Sequence, residues 1–312
     1  MKILRLILTA SLIGACANGN EGSGQVASEA PAFNADSAHA LLRRQVEFGP
    51  RVPGTPGHAA QLQWMTDYLR ERADTVWVQS FDQDIDGDTI RLHNVFARFS
   101  IANPDRILLA AHWDTRPTSD QDENEAQRDM PIDGANDGAS GVAVLLQLAD
   151  MFAQQPPPVG VDILLTDGED YSTEPGDYGN MYLGADYFAR NKPDDYKPLY
   201  GILVDLVGDQ NPQFEMEGYS LEYAPEVVER VWRVADSLGY GNVFVRRTGG
   251  SITDDHVPLN ARGNIRTIDI IDMDYGPGNA YWHTQDDIVE NTSPRGLGAV
   301  GDVLAALIYR GG

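Results

Sequence analysis

The stretch "AYWHTQDD" at residues 280–287 sets an indole (Trp282), an imidazole (His283), a hydroxyl (Thr284) and two carboxylates (Asp286, Asp287) within eight positions. Such a stretch is either a polar turn with aromatics by chance, or it places a metal ligand beside a substrate wall. Three apolar runs elsewhere carry further ionisable groups. "ILLAAHWDTRP" delivers His112 and Asp114, "DILLTDGED" delivers Asp167, Glu169 and Asp170, and "GILVDLVGD" holds Asp205 within the run itself. A single His or Asp at a strand end is ordinarily capped or solvated. Several strands ending this way bring their loops to one site. Asp205 is the sharpest case, because a buried ionised carboxylate is costly unless it is paired or bound to metal. Asp137, in the glycine-rich "IDGANDGASG", can either cap the helix that follows or reach into the same cleft. In "GED" the two neighbouring side chains diverge, so one can bind a metal while the other works as a general base. Asp137, Asp170 and His283, with His112 and Asp205 nearby, make up an oxygen and nitrogen set that zinc accepts. They are far apart in sequence, and no short zinc motif such as HExxH is present.

The elements that must position these groups follow from periodicity. "SAHALLRRQVEFG", with Ser37 as N-cap, and "HAAQLQWMTDYLRERA", with Leu62, Met65, Tyr68 and Leu69 on one face, read as helices joined by "GPRVPGTPG". "TVWVQSF", "NVFARF" and "RILLAAH" read as strands. "GASGVAVLLQLADMFAQQ" is a helix stopped by "PPP" at 156–158. The alternation continues through "VGVDILLTD" (strand), "LGADYFAR" (helix), "LYGILVDLVG" (strand), "APEVVERVWRVADSLG" (helix), "GNVFVRR" and "RTIDIID" (strands) and "GLGAVGDVLAALIYR" (helix). Short apolar strands separated by helices predict a largely parallel sheet covered on both faces. The acidic loop "TSDQDENEAQRD" reads as solvated surface.

The ends and the charge bound the setting. "MKILRLILTASLIGAC" has Lys2 and Arg5, an apolar run too short to span a bilayer, and a small-residue site before Cys16. This is the pattern of a bacterial lipoprotein signal. Residues 1–16 are expected to be that signal, 17–35 a flexible tether, and 36–312 a single catalytic domain. Lipid anchoring at Cys16 in the cell envelope is the expectation, with the outer membrane preferred. Cys16 is the only cysteine, so the exported body has no thiol for disulfides or metal. The formal charge of −24 argues against nucleic acid, which needs a basic face.

In their order, "AHWDTRP", "GANDGASGVAVLLQLA", "LLTDGEDY", "LVDLVGDQNP", "TDDHVPL" and "YWHTQDD" resemble the zinc-dependent M28 peptidase family, and within it the glutaminyl cyclase branch. The resemblance covers the body from about residue 37 onward. It implies a three-layer α/β/α sandwich with a mixed, mostly parallel central sheet. It implies one Zn(2+) per chain held by Asp137, Asp170 and His283, with Glu169 as general base and acid. Asp205 and Asp254 resemble buried acids that share protons with that base, and Trp282 resembles an indole lining the substrate pocket. His112 and Asp205 match positions that help bind a second zinc in the aminopeptidase branch. Asp170 departs from the glutamate of animal cyclases. Their second pocket tryptophan is missing, leaving Tyr171, Tyr178 or Tyr182 as substitutes. The activity implied is conversion of N-terminal glutamine of peptides or proteins to pyroglutamate with release of ammonia. The alternatives are an M28-type zinc aminopeptidase and a lipid-anchored binding protein without catalysis. An intact acid at each inferred ligand and base position argues against the last.

Overall fold

The structure, a computed structural model, describes residues 30–85, 87–172 and 179–311. The signal-like segment 1–16, most of the tether, and Tyr178 lie outside them.

Helix α1 (Ala35–Val46) starts one turn earlier than "SAHALL" suggested. Its N-cap is Asn34, whose side chain accepts from the Ser37 amide at 3.0 Å, so Ser37 belongs to the first turn. Helix α2 (Pro56–Arg70) is capped by Thr55, with proline in the first turn, where a missing N–H has no partner to lose. Its buried face holds Met65 and Leu69, but also His58, Gln61 and Thr66, while Leu62 and Tyr68 are only half-buried. Polar residues enter this face because they find buried partners: Gln61 Nε2 donates to Gln45 Oε1, and His58 meets Asp167.

Strands β1 (Thr75–Ile85) and β2 (Asp88–Phe99) form an antiparallel hairpin. Then follow β3 (Arg106–His112), α3 (Ala139–Gln154), β4 (Gly160–Thr166), α4 (Leu183–Asn191) and β5 (Tyr200–Asp205). The remainder is β6 (Phe214–Met216), α5 (Gly218–Tyr223), α6 (Pro225–Ser237), β7 (Phe244–Thr248), α7 (His256–Ala261), β8 (Thr267–Ile271) and α8 (Pro294–Tyr309). The central sheet runs β1-β2-β4-β3-β5-β8. β4, β3, β5 and β8 are parallel, and β2 joins β4 antiparallel. Although "GNVFVRR" was expected to extend the sheet series, it forms β7, which pairs with β6 in a separate two-stranded sheet. Phe244 packs there against Phe214 and Trp232.

Period-two alternation feeds two cores. Ile107, Leu109 and Ala111 of β3 join the larger cluster with α1, α3, α6 and α8, while Leu108 and Ala110 join the smaller one with Phe188 of α4 and Leu259 of α7. The result is a three-layer α/β/α sandwich with a mixed, mostly parallel sheet. Helix α3 lies almost entirely in the core, close enough to β5 that a Cβ at Gly141 would sit 2.2 Å from the Val204 carbonyl oxygen. The register pairs His112 with Thr166 and Asp205 with Ile271, so the parallel strands end together along one edge. Among the described residues no helix is long and apolar enough to cross a membrane.

Candidate metal centre and active site

The edge where β3, β4, β5 and β8 end opens into a cavity of about 680 Å³. Asp137, Glu169, Asp170, Asp205, Asp254, Trp282 and His283 all line it. Residues separated by up to 146 positions are thus brought together, as the strand-end pattern required.

Asp137 does not cap α3. The N-cap is Gly138, with φ +78 and no side-chain cap, which leaves the Asp137 carboxylate free. A side chain at Gly138 would meet the Asp114 carbonyl oxygen and His112 at 2.9 Å, so the turn needs glycine on grounds of both space and φ. Asp205 is the last residue of β5, not an interior one. Its burial is accommodated by a hydrogen bond between Asp205 Oδ1 and His112 Nε2 at 3.1 Å.

Among the described residues three groups of side chains are spaced to hold a cation: Asp137 with Asp170 and His283, His112 with Asp137 and Asp205, and Asp254 with His256 and Asp269, the first two sharing Asp137. In the first, His283 Nε2 lies 3.5 Å from both Asp137 Oδ2 and Asp170 Oδ2. Edges of 3.5 Å in a tetrahedron correspond to a centre about 2.1 Å from each corner, the length of a zinc bond to imidazole or carboxylate. Asp170 Oδ2 is buried and has no hydrogen-bond partner. A buried orphan oxygen facing an imidazole and a second carboxylate fits a divalent cation.

Glu169 points elsewhere. Its Oε2 lies 3.8 Å from His112 Nδ1, so the neighbouring acids of "GED" diverge as expected. Burial, opposed by His112 and reinforced by Asp254, Asp170 and Asp255, pushes the Glu169 carboxyl well above its usual range. Burial likewise raises Asp170 to about 6 and Asp205 to about 7. Burial pulls His112 down, but the carboxylates of Asp205, Asp114 and Asp137 outweigh it and hold the imidazole well above its ordinary value. A dication at the first group would favour the ionised form of its carboxylates.

Loop backbones are fixed by two carboxylates that each grip two successive amides. Asp114 accepts from the amides of Glu169 and Asp170 at 3.1 and 3.2 Å. Asp287 accepts from those of Asn136 and Asp137 at 2.7 and 3.1 Å, and from the Tyr275 hydroxyl at 2.9 Å. Asp286, its neighbour, is exposed. Asp167 turns away from the cavity to His58 and the His93 amide. In "TDDH", Asp254 lines the cavity, whereas Asp255 accepts from the Thr166 hydroxyl of β4.

Trp282 stacks on His283, with ring centroids 3.7 Å apart and planes at 24°. His283 adopts φ +54, and Tyr182, Leu206 and Asn279, also on the cavity wall, have φ of +61, +49 and +63. Such left-handed non-glycine residues persist where surrounding contacts over-determine them, commonly at working sites. Of the tyrosines considered for the second wall, Tyr182 lines the cavity.

The acidic loop after β3 is a correction. Its middle and end, from Glu123 to Met130, are largely exposed, but Ser119 and Asp122 are buried and the Asp120 side chain is 5% exposed against His283. Asp120 accepts from the Arg116 guanidinium and the Gln121 amide donates to the His283 carbonyl, which turns this part inward. A cluster of buried carboxylates and imidazoles at the C-terminal edge of an α/β/α sandwich is the arrangement of a metal-dependent enzyme.

Residues 94–308 match the model of peptidase family M28, and the chain belongs to that family. The glutaminyl cyclase of Bacteroides thetaiotaomicron is 39% identical and superposes with a TM-score of 0.86, covering 90% of this chain and 99% of that one. A Zn-dependent exopeptidase from Parabacteroides distasonis is 41% identical with the same TM-score, covering 90% and 99%. The glutaminyl-peptide cyclotransferase of Drosophila melanogaster is 26% identical over 265 residues, 76% of this chain and 70% of that protein.

Proposed function

We propose that the protein is a zinc-dependent glutaminyl-peptide cyclotransferase, converting N-terminal glutamine to pyroglutamate with release of ammonia. The observation that carries this reading is the separation of roles around one cavity. Asp137, Asp170 and His283 converge with an orphan oxygen between them, Glu169 stays outside the group, and Trp282 stacks on the ligand imidazole. Similarity to bacterial glutaminyl cyclases over nearly the whole body supports it.

Asp137, Asp170 and His283 would hold one zinc ion per chain. His112 and Asp205 lie outside that group; His112 Nε2 faces Asp205 Oδ1 at 3.1 Å and Asp137 Oδ1 at 3.2 Å. When bound, zinc supplies Lewis-acid polarisation of the side-chain amide carbonyl of the substrate glutamine. Glu169, whose burial raises its affinity for protons, takes one from the α-amine as that nitrogen attacks Cδ. It returns the proton to the departing NH₂, so one C–N bond forms, another breaks, and ammonia leaves. Asp254 faces Glu169 and helps keep its proton affinity high. Asp205 positions His112, which faces the Glu169 carboxylate. Trp282 and Tyr182 provide walls that hold the glutamine side chain folded toward its own amine. Orientation of that kind, with both reactants on one residue, is worth about 7–11 kcal/mol.

The second group, His112–Asp137–Asp205, favours one other reading. If it held a second ion, the site would match a zinc aminopeptidase, with Glu169 activating water. A side-by-side assay separates the two. The cyclotransferase reading expects ammonia release from a glutamine-starting dipeptide, loss of activity on chelation and recovery with about one equivalent of zinc. Release of free leucine or alanine from aminopeptidase substrates, without ammonia from the glutaminyl peptide, would overturn it. We also propose that residues 1–16 direct export, that Cys16 carries a lipid anchor to the cell envelope, and that 17–35 tether a catalytic body at 36–312, acting on peptides or proteins that begin with glutamine.

A further inference from the structure

Arg116 and Asp120 line the same cavity as Glu169 and Trp282, each against one of the proposed metal ligands. We propose that they form a two-residue strut that sets both the coordinating oxygen of Asp170 and the coordinating nitrogen of His283. This inference rests on the metal-ligand assignment above and holds for either reaction at the site.

The strut is two hydrogen bonds and one ion-pair contact, the last not aligned as a hydrogen bond. Arg116 Nη1 donates to Asp170 Oδ1 at 2.5 Å, and Arg116 Nε donates to Asp120 Oδ1 at 2.5 Å. Asp120 Oδ1 then lies 3.4 Å from His283 Nδ1. The side chains of Arg116, Asp120, Asp170 and His283 are 4, 5, 1 and 5% exposed, so water does not compete for these contacts. Each contact has a consequence for the ion. With Oδ1 of Asp170 taken by the guanidinium, only Oδ2 remains, and that is the atom lying unpartnered 3.5 Å from His283 Nε2. Asp170 is thereby confined to one-oxygen binding. With an anion facing Nδ1, the imidazole keeps its proton there and presents the Nε2 lone pair to Asp137 and Asp170. The planar fork of arginine can serve two acceptors in fixed directions, whereas a lysine ammonium in its place brings charge without that geometry. Arg116 and Asp120 are positioning residues for the metal.

The test is the zinc dissociation constant of the full chain, measured by competition with a chromophoric chelator, alongside the visible spectrum of the cobalt(II) form and the melting temperature of the metal-free protein. Arg116→Lys and Asp120→Asn should each weaken zinc binding by about 10–100-fold and alter the cobalt bands, with metal-free melting temperatures close to wild type. The double variant should bind no worse than the weaker single by more than roughly twofold, because the two residues act in series. His283→Ala is the control on the ligand set and should abolish tight binding. If His283→Ala loses zinc while Arg116→Lys and Asp120→Asn keep wild-type affinity and spectra, the strut is overturned and the ligand set stands. If His283→Ala keeps zinc, the ligand set itself fails and the strut falls with it. A purely structural role for Arg116 predicts the converse pattern, in which Lys restores affinity and only the melting temperature moves. Should Arg116→Lys not fold, Asp120→Asn, which preserves side-chain shape, decides alone.

Discussion

Glu169 and Asp170 are adjacent in the chain yet face different partners, and that divergence carries the chemistry. Asp170 presents an orphan oxygen to His283, while Glu169 looks toward His112 and lies in none of the three groups that could hold a metal. The base assignment therefore predicts that Glu169→Gln leaves zinc content unchanged and lowers kcat by about 10²–10⁴-fold, read by ammonia release and metal analysis on the same sample. A variant that kept most of its activity would remove Glu169 from the reaction. Several of these roles are legible from residue type alone. His112, Glu169, Asp170 and Asp205 stand out because apolar runs end in them or hold them, and Asp137 because it lies in a glycine-rich turn before a helix. Asp114 and Asp287 do not reveal what they do, because each grips two amides brought near only by folding; Asp287 and Asn136 are 151 residues apart. Asp120 was hidden by its neighbours, since "DQDENEAQRD" has the composition of a solvated loop, and it is the pairing with Arg116, the Gln121 amide on the His283 carbonyl and the Gln285 amide on Asp122 that hold it inward.

Among elements, the parallel strands were the most readable part of the fold. β3, β4, β5 and β8 are short, apolar and bounded by turns, and burial on both faces leaves them that signature. Strand order and pairing were not readable, because neighbours in the sheet depend on crossovers. β7 reads from sequence only as one more short strand, and the packing of Phe244 against Phe214 and Trp232 takes it into a separate sheet. At α1 the cap moved from Ser37 to Asn34 because both residue types cap well and local sequence does not rank them. At α3 the cap passed to Gly138, whose positive φ is what frees Asp137 for the cavity.

Across the whole molecule, folding buries a subset of the acidic side chains together at the cavity, and this shapes stability against pH. Unfolded carboxyls titrate near about 4. In the folded, metal-free chain burial raises Asp170 to about 6, Asp205 and Asp287 to about 7, and Glu169 well above its usual range. Groups with raised folded pKa contribute stability that is present below the unfolded value and lost as pH rises through the folded one. His112 and His283, also raised, act in the same direction from about pH 6.5 upward. Asp137 and Asp120 are lowered, so their contribution is lost only in acid, below this window. The melting temperature of metal-free protein should thus fall between about pH 5 and 8, and zinc should raise it more at the upper end, where the ligands ionise readily. A metal-free melting temperature that climbs across that range would contradict this balance. The central claim is that Asp137, Asp170 and His283 share one ion while Glu169 stands free beside it. Anomalous diffraction at the zinc edge from zinc-loaded crystals tests it most directly. The account predicts a single strong peak within bonding distance of those three side chains; a peak elsewhere, or a second of equal height between His112 and Asp205, would contradict it.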